Sequence, residues 1–146
     1  MSNRSTDHPT QVSRADRREL ITTLRELGVF PDADDHELRT IVDSGRLVSV
    51  PAGWSLIWER TPADKAYVVL RGELDVRHDD QVVAHLGAGD IIGEMAIVNR
   101  RLRSATVVAA TALKVLHFTR EAVEELHATV PGFRAAVDAA AAAHAS

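Results

Sequence analysis

The chain has no cysteine, which excludes disulfide staples, thiolate nucleophiles and thiolate metal sites. Aromatic residues are scarce, at three Phe, two Trp and one Tyr, so a core must be built mainly from aliphatic side chains. No apolar run approaches the ~20 residues of a membrane-spanning helix. The amino terminus, MSNRSTDHPTQVS, lacks the apolar stretch of a secretory signal, and the expectation is a soluble, cytoplasmic protein. Positive charge is also in deficit, with 17 Lys and Arg against 21 Asp and Glu. At a net charge of -4 a broad nucleic-acid-binding surface is not expected, and basic character has to be local. The dense basic cluster in the body of the chain is Arg100, Arg101 and Arg103.

What remains suits one domain: 146 residues, 45% hydrophobic, can bury a core without metal or disulfides. Residues 1–12 are polar and aperiodic and read as a disordered tail. Ser13 and Asp16 signal a helix start; Leu20, Ile21, Leu24 and Leu27 share a helical face, and Gly28 ends it. Asp34 followed by Glu37 resembles a capping pair for a second helix whose buried stripe is Leu38, Ile41 and Val42, with Gly45 closing it. From Arg46 the period becomes alternating. Strands are predicted over 46–50, 54–59, 66–70, 73–78, 81–86, 104–110 and 113–118, with Gly, Pro and Asp-Asp turns between them. Leu74 and Val76 fall on one face of their strand, and Glu73, Asp75 and Arg77 on the other. Many short strands with such punctuation predict an antiparallel sandwich or jelly roll rather than alternating strand–helix units. Thr119 can cap a following helix, and Pro131 suits the first turn of another, running PGFRAAVDAAAAAHAS. That last run has little to bury and is expected to fray unless a partner covers it.

The most informative stretch is GDIIGEMAIVNRRLRSATVVA, Gly89 to Ala109. Ile91 and Ile92 look like the end of a buried strand, Gly93 allows a sharp turn, and Glu94 to Ile97 can start a helical turn whose first amides lack internal partners. Unpaired amides at a helix start favour an anion. Arg103, nine residues past Glu94 and just before an apolar strand, can return to the same spot and offer a planar guanidinium to two phosphate oxygens.

With VPAGWSLIWE, AYVVLRGELDV and LGAGDIIGEMAI preceding RSAT, the chain resembles the cyclic nucleotide-binding domain family, including the catabolite activator type, over roughly Leu24 to Phe133. The resemblance implies a mainly β fold with flanking α-helices: an antiparallel, jelly-roll-like β-roll over 46–118 between helices over 13–45 and 119–146, together one domain over 13–146. It implies that Gly93, Met95 and Ala96 surround a cyclic phosphate, that Glu94 accepts from the ribose 2′-hydroxyl, that Arg103 grips the phosphate and that Ser104 lies close enough to donate. The implied ligand is cyclic AMP, with cyclic GMP as the alternative, in a non-enzymatic sensor or regulatory module without cofactor or metal.

The sequence departs from the family pattern in three places. Leu102 stands where a proline often precedes the phosphate arginine, which frees the loop without moving the anchor. Arg60 and Thr61 replace a glycine and a polar residue, so that loop is expected to differ in shape. The chain ends at Ser146, where activator proteins continue into a long helix and a helix-turn-helix. The expectation is therefore no DNA-binding domain, a base lid that is short or borrowed, and a homodimer or partner contact through the carboxy-terminal helices.

Each feature also has a structural reading. Glu94 and Arg103 could form an ion pair across a loop, although the flanking match favours the ligand. Arg100 and Arg101 read as solvated loop charges, Tyr67 as core, and Trp54 and Trp58 as packing or a partner patch on one sheet face. The seven histidines are scattered, with His78, His85 and His117 on separate strands, which argues against a metal-dependent jelly-roll enzyme. A protein-interaction domain that keeps the fold without the ligand is the alternative function.

Overall fold

The computed structural model describes residues 10–11 and 14–143. The first helix, α1 (Arg14–Leu27), presents Leu20 and Leu24 to the core and ends where Gly28 N–H donates to Leu24 O at 3.0 Å. In α2 (Asp35–Asp43) the predicted capping box is formed in both directions. Glu37 N–H donates to Asp34 Oδ1 at 2.8 Å, and Asp34 N–H donates to Glu37 Oε1 at 3.1 Å. Two orphan amides are thereby satisfied, and Leu38, Ile41 and Val42 are buried beneath them.

Nine strands are present among the described residues, and all but the first follow the predicted punctuation: β1 (Thr10–Gln11), β2 (Arg46–Val50), β3 (Ser55–Ile57), β4 (Lys65–Arg71), β5 (Glu73–His78), β6 (Gln81–Gly87), β7 (Ile91–Ile92), β8 (Thr106–Ala109) and β9 (Leu113–Thr119). All pair antiparallel, in one sheet of order β1-β2-β9-β4-β7 and another of order β3-β8-β5-β6, which makes the expected β-roll. β1 corrects the expected tail. Thr10 and Gln11 pair with Leu47 and Arg46, because the outer edge of β2 leaves backbone groups open to a passing segment. Residues 1–9 and 12 of that tail, and Ser13, lie outside the described residues.

The two sheets divide the core. In β4 and β9, Ala66, Val68, Leu116 and Phe118 face the helices, whereas Tyr67, Val69, Leu113 and Val115 face the inside of the roll. Burial on both faces explains why AYVVL is a continuous apolar run rather than an alternating one. Gly72, between β4 and β5, has φ +103°, and a Cβ there would sit 2.5 Å from the Ala112 carbonyl oxygen, so the turn requires glycine.

The chain closes with α3 (Glu94–Val98), set between β7 and β8, then α4 (Arg120–Thr129) and α5 (Pro131–Ala143). Thr119 Oγ1 accepts from Ala122 N–H at 3.1 Å as the α4 cap. Phe133 of α5 stacks on Phe30 at 5.6 Å and meets Phe118 edge-on at 6.2 Å, so α5 docks through the few aromatic residues the chain has. The Ala-rich run stays helical to Ala143, and residues 144–146 lie outside the description.

Candidate anion-binding site

The site starts from β4. Val69 N–H donates to the Asp90 carbonyl at 2.9 Å, Gly89 N–H donates to the Val69 carbonyl at 2.8 Å, and Asp90 Oδ2 accepts from Gly87 N–H at 2.8 Å. This pinned turn delivers β7, whose Ile91 and Ile92 pair with Val68 and Tyr67. Gly93 then takes φ +87° and starts α3. A Cβ on Gly93 would lie 2.9 Å from both Arg103 Nη1 and the Lys65 carbonyl oxygen, so a glycine is needed for conformation and for space.

Arg103 fills that space. Its Nη1 donates to the Gly93 carbonyl at 2.6 Å and its Nη2 to the Lys65 carbonyl, while Asp64 Oδ1 lies 4.0 Å from Nη2. The residue is only 5% exposed and Glu94 only 3%, the two buried charged residues among those described. Burial pulls the guanidinium pKa down, and Asp64, then Tyr67 and Glu94, push it back up. Tyr67 beside it is raised to about 12, first by burial and then by Asp64, with Arg103 acting in the opposite sense. The guanidinium thus bridges the Gly93 turn and the start of β4 in a partly desolvated setting, where a charge-assisted hydrogen bond is strong.

The loop before Arg103 is more constrained than its leucine suggested. Arg103 N–H donates to the Thr61 carbonyl at 2.9 Å, Arg60 N–H donates to the Arg103 carbonyl at 2.8 Å, and Leu102 bridges to Pro62. This two-stranded clasp does what a proline would do. Arg60, which stands where the family usually has glycine, adopts φ +66° itself, so the loop keeps a glycine-like turn at a local cost of roughly 1–2 kcal/mol. Its Nη2 reaches Asp79 at 3.1 Å, which helps to hold it there.

All six residues singled out from the sequence, Gly93, Glu94, Met95, Ala96, Arg103 and Ser104, line one cavity of about 290 Å³. The opposite wall was missed: Ile57, Val76, Ala84, Leu86 and Val107. It is apolar and drawn from four strands, and alternation in β5 and β6 hints at only part of it, where the register sets Val76 against Ala84. Ile57 and Arg103 also line a second cavity.

The remaining candidates separate. Arg100 and Arg101 are exposed and have no ion pair among the described residues. Tyr67 is core, edge-on to His117 at 5.4 Å. Trp54 and Trp58 are 64% and 61% exposed, so neither packs into the core. Of the scattered histidines, His85 pairs with Asp75 at 2.8 Å, and His78 converges with Glu59 and Asp79. Sequence spacing concealed that last group. Arg60 sits 3.6 Å from Glu59 and 3.1 Å from Asp79, so the cluster already holds a guanidinium. Among the described residues no helix is long and apolar enough to cross a membrane.

The profile of the family described as the cyclic nucleotide-binding domain matches residues 47–130. The chain is similar to the cAMP-dependent protein kinase regulatory subunit of Yarrowia lipolytica, 33% identical over 105 residues that make up 70% of this chain and 28% of that protein. It therefore spans less than a third of that relative's length. Among solved structures, the cyclic nucleotide-binding domain from Methylobacillus flagellatus superposes with a TM-score of 0.72 at 25% identity, over 94% of this chain and 80% of that one. The regulatory domain of Toxoplasma gondii PKA, solved with cAMP, gives 0.69 at 26% identity over 77% of this chain and 45% of that one.

Proposed function

Because the chain belongs to the cyclic nucleotide-binding domain family, we propose that its cavity takes a 3′,5′-cyclic nucleotide, cyclic AMP in preference to cyclic GMP, and that it acts as a non-enzymatic, cytoplasmic sensor or regulatory module. The observation that carries this reading is the convergence of Arg103, Glu94 and the Gly93 turn on one cavity with an otherwise apolar opposite wall. The phosphate meets the Arg103 fork and the first amides of α3, while Glu94 accepts from the ribose hydroxyl, because a carboxylate facing the phosphate itself would repel it. Ser104 offers its hydroxyl at the rim, and Val76, Ala84, Leu86 and Val107 enclose the purine. These wall side chains have no hydrogen-bonding group for the guanine edge, and the similar regulatory subunits carry cAMP in their name.

Output runs through α3. Its Ile97 is packed in the same core cluster as Val123 and Leu126 of α4 and Phe133 of α5, so a shift of the Gly93 turn toward bound phosphate is passed to the closing helices. Those helices are the surface through which a second copy or another protein reads the state of the pocket.

A thermal-shift panel of cyclic AMP, cyclic GMP, 5′-AMP and buffer tests this reading. Stabilisation is expected from cyclic AMP, less from cyclic GMP and none from 5′-AMP. Equal melting temperatures across the panel would sink it and favour the ligand-free interaction domain.

A further inference from the structure

Arg103 lines two cavities. The second is a groove of about 300 Å³, lined by Trp58, Thr61, Pro62, Asp64, Lys65 and Arg103 among others. The groove is bordered by large exposed apolar side chains: Trp58 is 61% exposed, and Leu102, which bridges to Pro62 on the groove wall, is 60% exposed. Exposed apolar surface gathered around a cleft and rimmed by charge marks an interaction face rather than ordinary surface. Its backbone is fixed in advance by the clasp between 60–62 and 102–103, and Thr61 Oγ1 adds a hydrogen bond to the Trp58 carbonyl at 2.6 Å. Little ordering entropy is then lost on docking.

We propose that this face is an isologous contact between two copies of the chain. A symmetric interface requires that each element find its complement in the same patch, so that one residue meets another and the second meets the first across the axis. This patch contains both halves. Leu102 and Trp58 project, and the groove beside them receives. The Asp64 side chain is 69% exposed, with Arg103 4.0 Å away, while Arg100 and Arg101 have no ion pair among the described residues. Asp64 of one copy pairs with Arg101 of the other, twice by symmetry, around a centre of Trp58 and Leu102. Tryptophan and arginine are the residue types that dominate interface energetics. A net charge of -4 argues against nucleic acid at this site, and a carboxylate at the groove argues against an anionic membrane. The contact does not depend on the nucleotide reading, since it uses Trp58, Asp64, Arg101 and Leu102, none of which lines the first cavity.

Sedimentation velocity over a concentration series, with the full chain and no nucleotide, tests it. A reversible dimer is expected. Trp58→Ala and Leu102→Ala should each weaken it by about 10-fold or more. Trp54→Ala, equally exposed but outside the groove lining, should leave it unchanged. Asp64→Arg and Arg101→Asp should each be monomeric alone, whereas mixing the two variants restores both ion pairs and gives a heterodimer. All of these positions are exposed, so the variants fold, and melting curves check that they do. A monomer at every concentration, a dimer indifferent to both apolar truncations, or a mixture no more associated than its components would overturn the proposal.

Discussion

At the cassette end of the cavity the walls are buried charge and backbone: Arg103 is held by the Gly93 and Lys65 carbonyls, and Glu94 is buried beside it. At the other end the wall is aliphatic, built by Ile57, Val76 and Val107 together with Ala84 and Leu86 of β6, an edge strand whose residues 81–85 are exposed and which carries a bulge between Val82 and Ala84. One end is polar and sealed by burial of its charges, and the other is apolar and opens along the exposed edge strand. The contrast teaches where binding energy and selectivity reside. Charge-assisted hydrogen bonds in a desolvated setting are strong and geometrically strict, whereas an aliphatic wall gains a modest, shape-tolerant term. Affinity should therefore come from the cyclic phosphate and ribose, with only weak discrimination between bases.

The largest break in that comparison is Arg103→Ala. Loss of two charge-assisted hydrogen bonds to phosphate, each worth about 1.5–3 kcal/mol, predicts a fall in cyclic AMP affinity of about 100-fold or more by calorimetric titration. The same substitution leaves the Gly93 and Lys65 carbonyls unpaired, so the ligand-free melting temperature should also drop. Arg103→Lys keeps the charge without the fork and should fall between the two. Equal, strong binding by wild type and Arg103→Ala would remove the arginine from the site.

Glu94→Gln should act on the ribose alone. About a 10-fold loss is expected for cyclic AMP, and little change for 2′-deoxy cyclic AMP, which lacks the hydroxyl. A parallel loss for both ligands would mean that Glu94 holds the fold rather than the sugar. At the open end, Leu86→Ala trims a half-buried part of the aliphatic wall and should cost about threefold or less, nearly equally for cyclic AMP and cyclic GMP. A loss as large as that at Glu94 would erase the contrast between the two ends.

The contrast also decided what could be read in advance. The sealed end is local. Gly93 to Ala96 and Arg103 to Ser104 lie within one short stretch, and glycine, acid and arginine at that spacing carry their chemistry on their face. The capping box of Asp34 and Glu37 was legible for the same reason, because donor and acceptor are three residues apart. The open end depends on register. Alternation says that Val76, Ala84 and Leu86 point inward, but which inward residue meets a cavity depends on a bulge that no pattern specifies. Trp54 and Trp58 were ambiguous because period two fixes a shared face without saying whether it is covered, and a register shift between Ser55 and Ile57 intervenes. Leu102 was misleading for a third reason. Its constraint comes from Pro62, forty residues away, so the loop looked free until the chain was folded.

The smallest expected effect concerns what lies beneath the sealed end. His117 on β9 sits in register with Arg46 of β2 and Tyr67 of β4, and its Nδ1 is buried without a hydrogen-bond partner. Burial lowers its pKa below the ordinary 6.5, Lys65 and then Arg46 lower it further, and Asp64 opposes them. The unfolded chain protonates this imidazole first as pH falls, so the stability associated with its neutral form is complete above about 6.5 and is lost as pH falls toward the folded value. Melting temperature should decline through that window in the wild type, and more gently in His117→Gln, which cannot take up the proton. Cyclic AMP affinity should track the melting curve only weakly over the same range, because the imidazole faces Tyr67 rather than the cavity wall. If His117→Gln and wild type declined in parallel, the acid sensitivity would belong to the carboxylates. His117 would then do no more than pack edge-on against Tyr67.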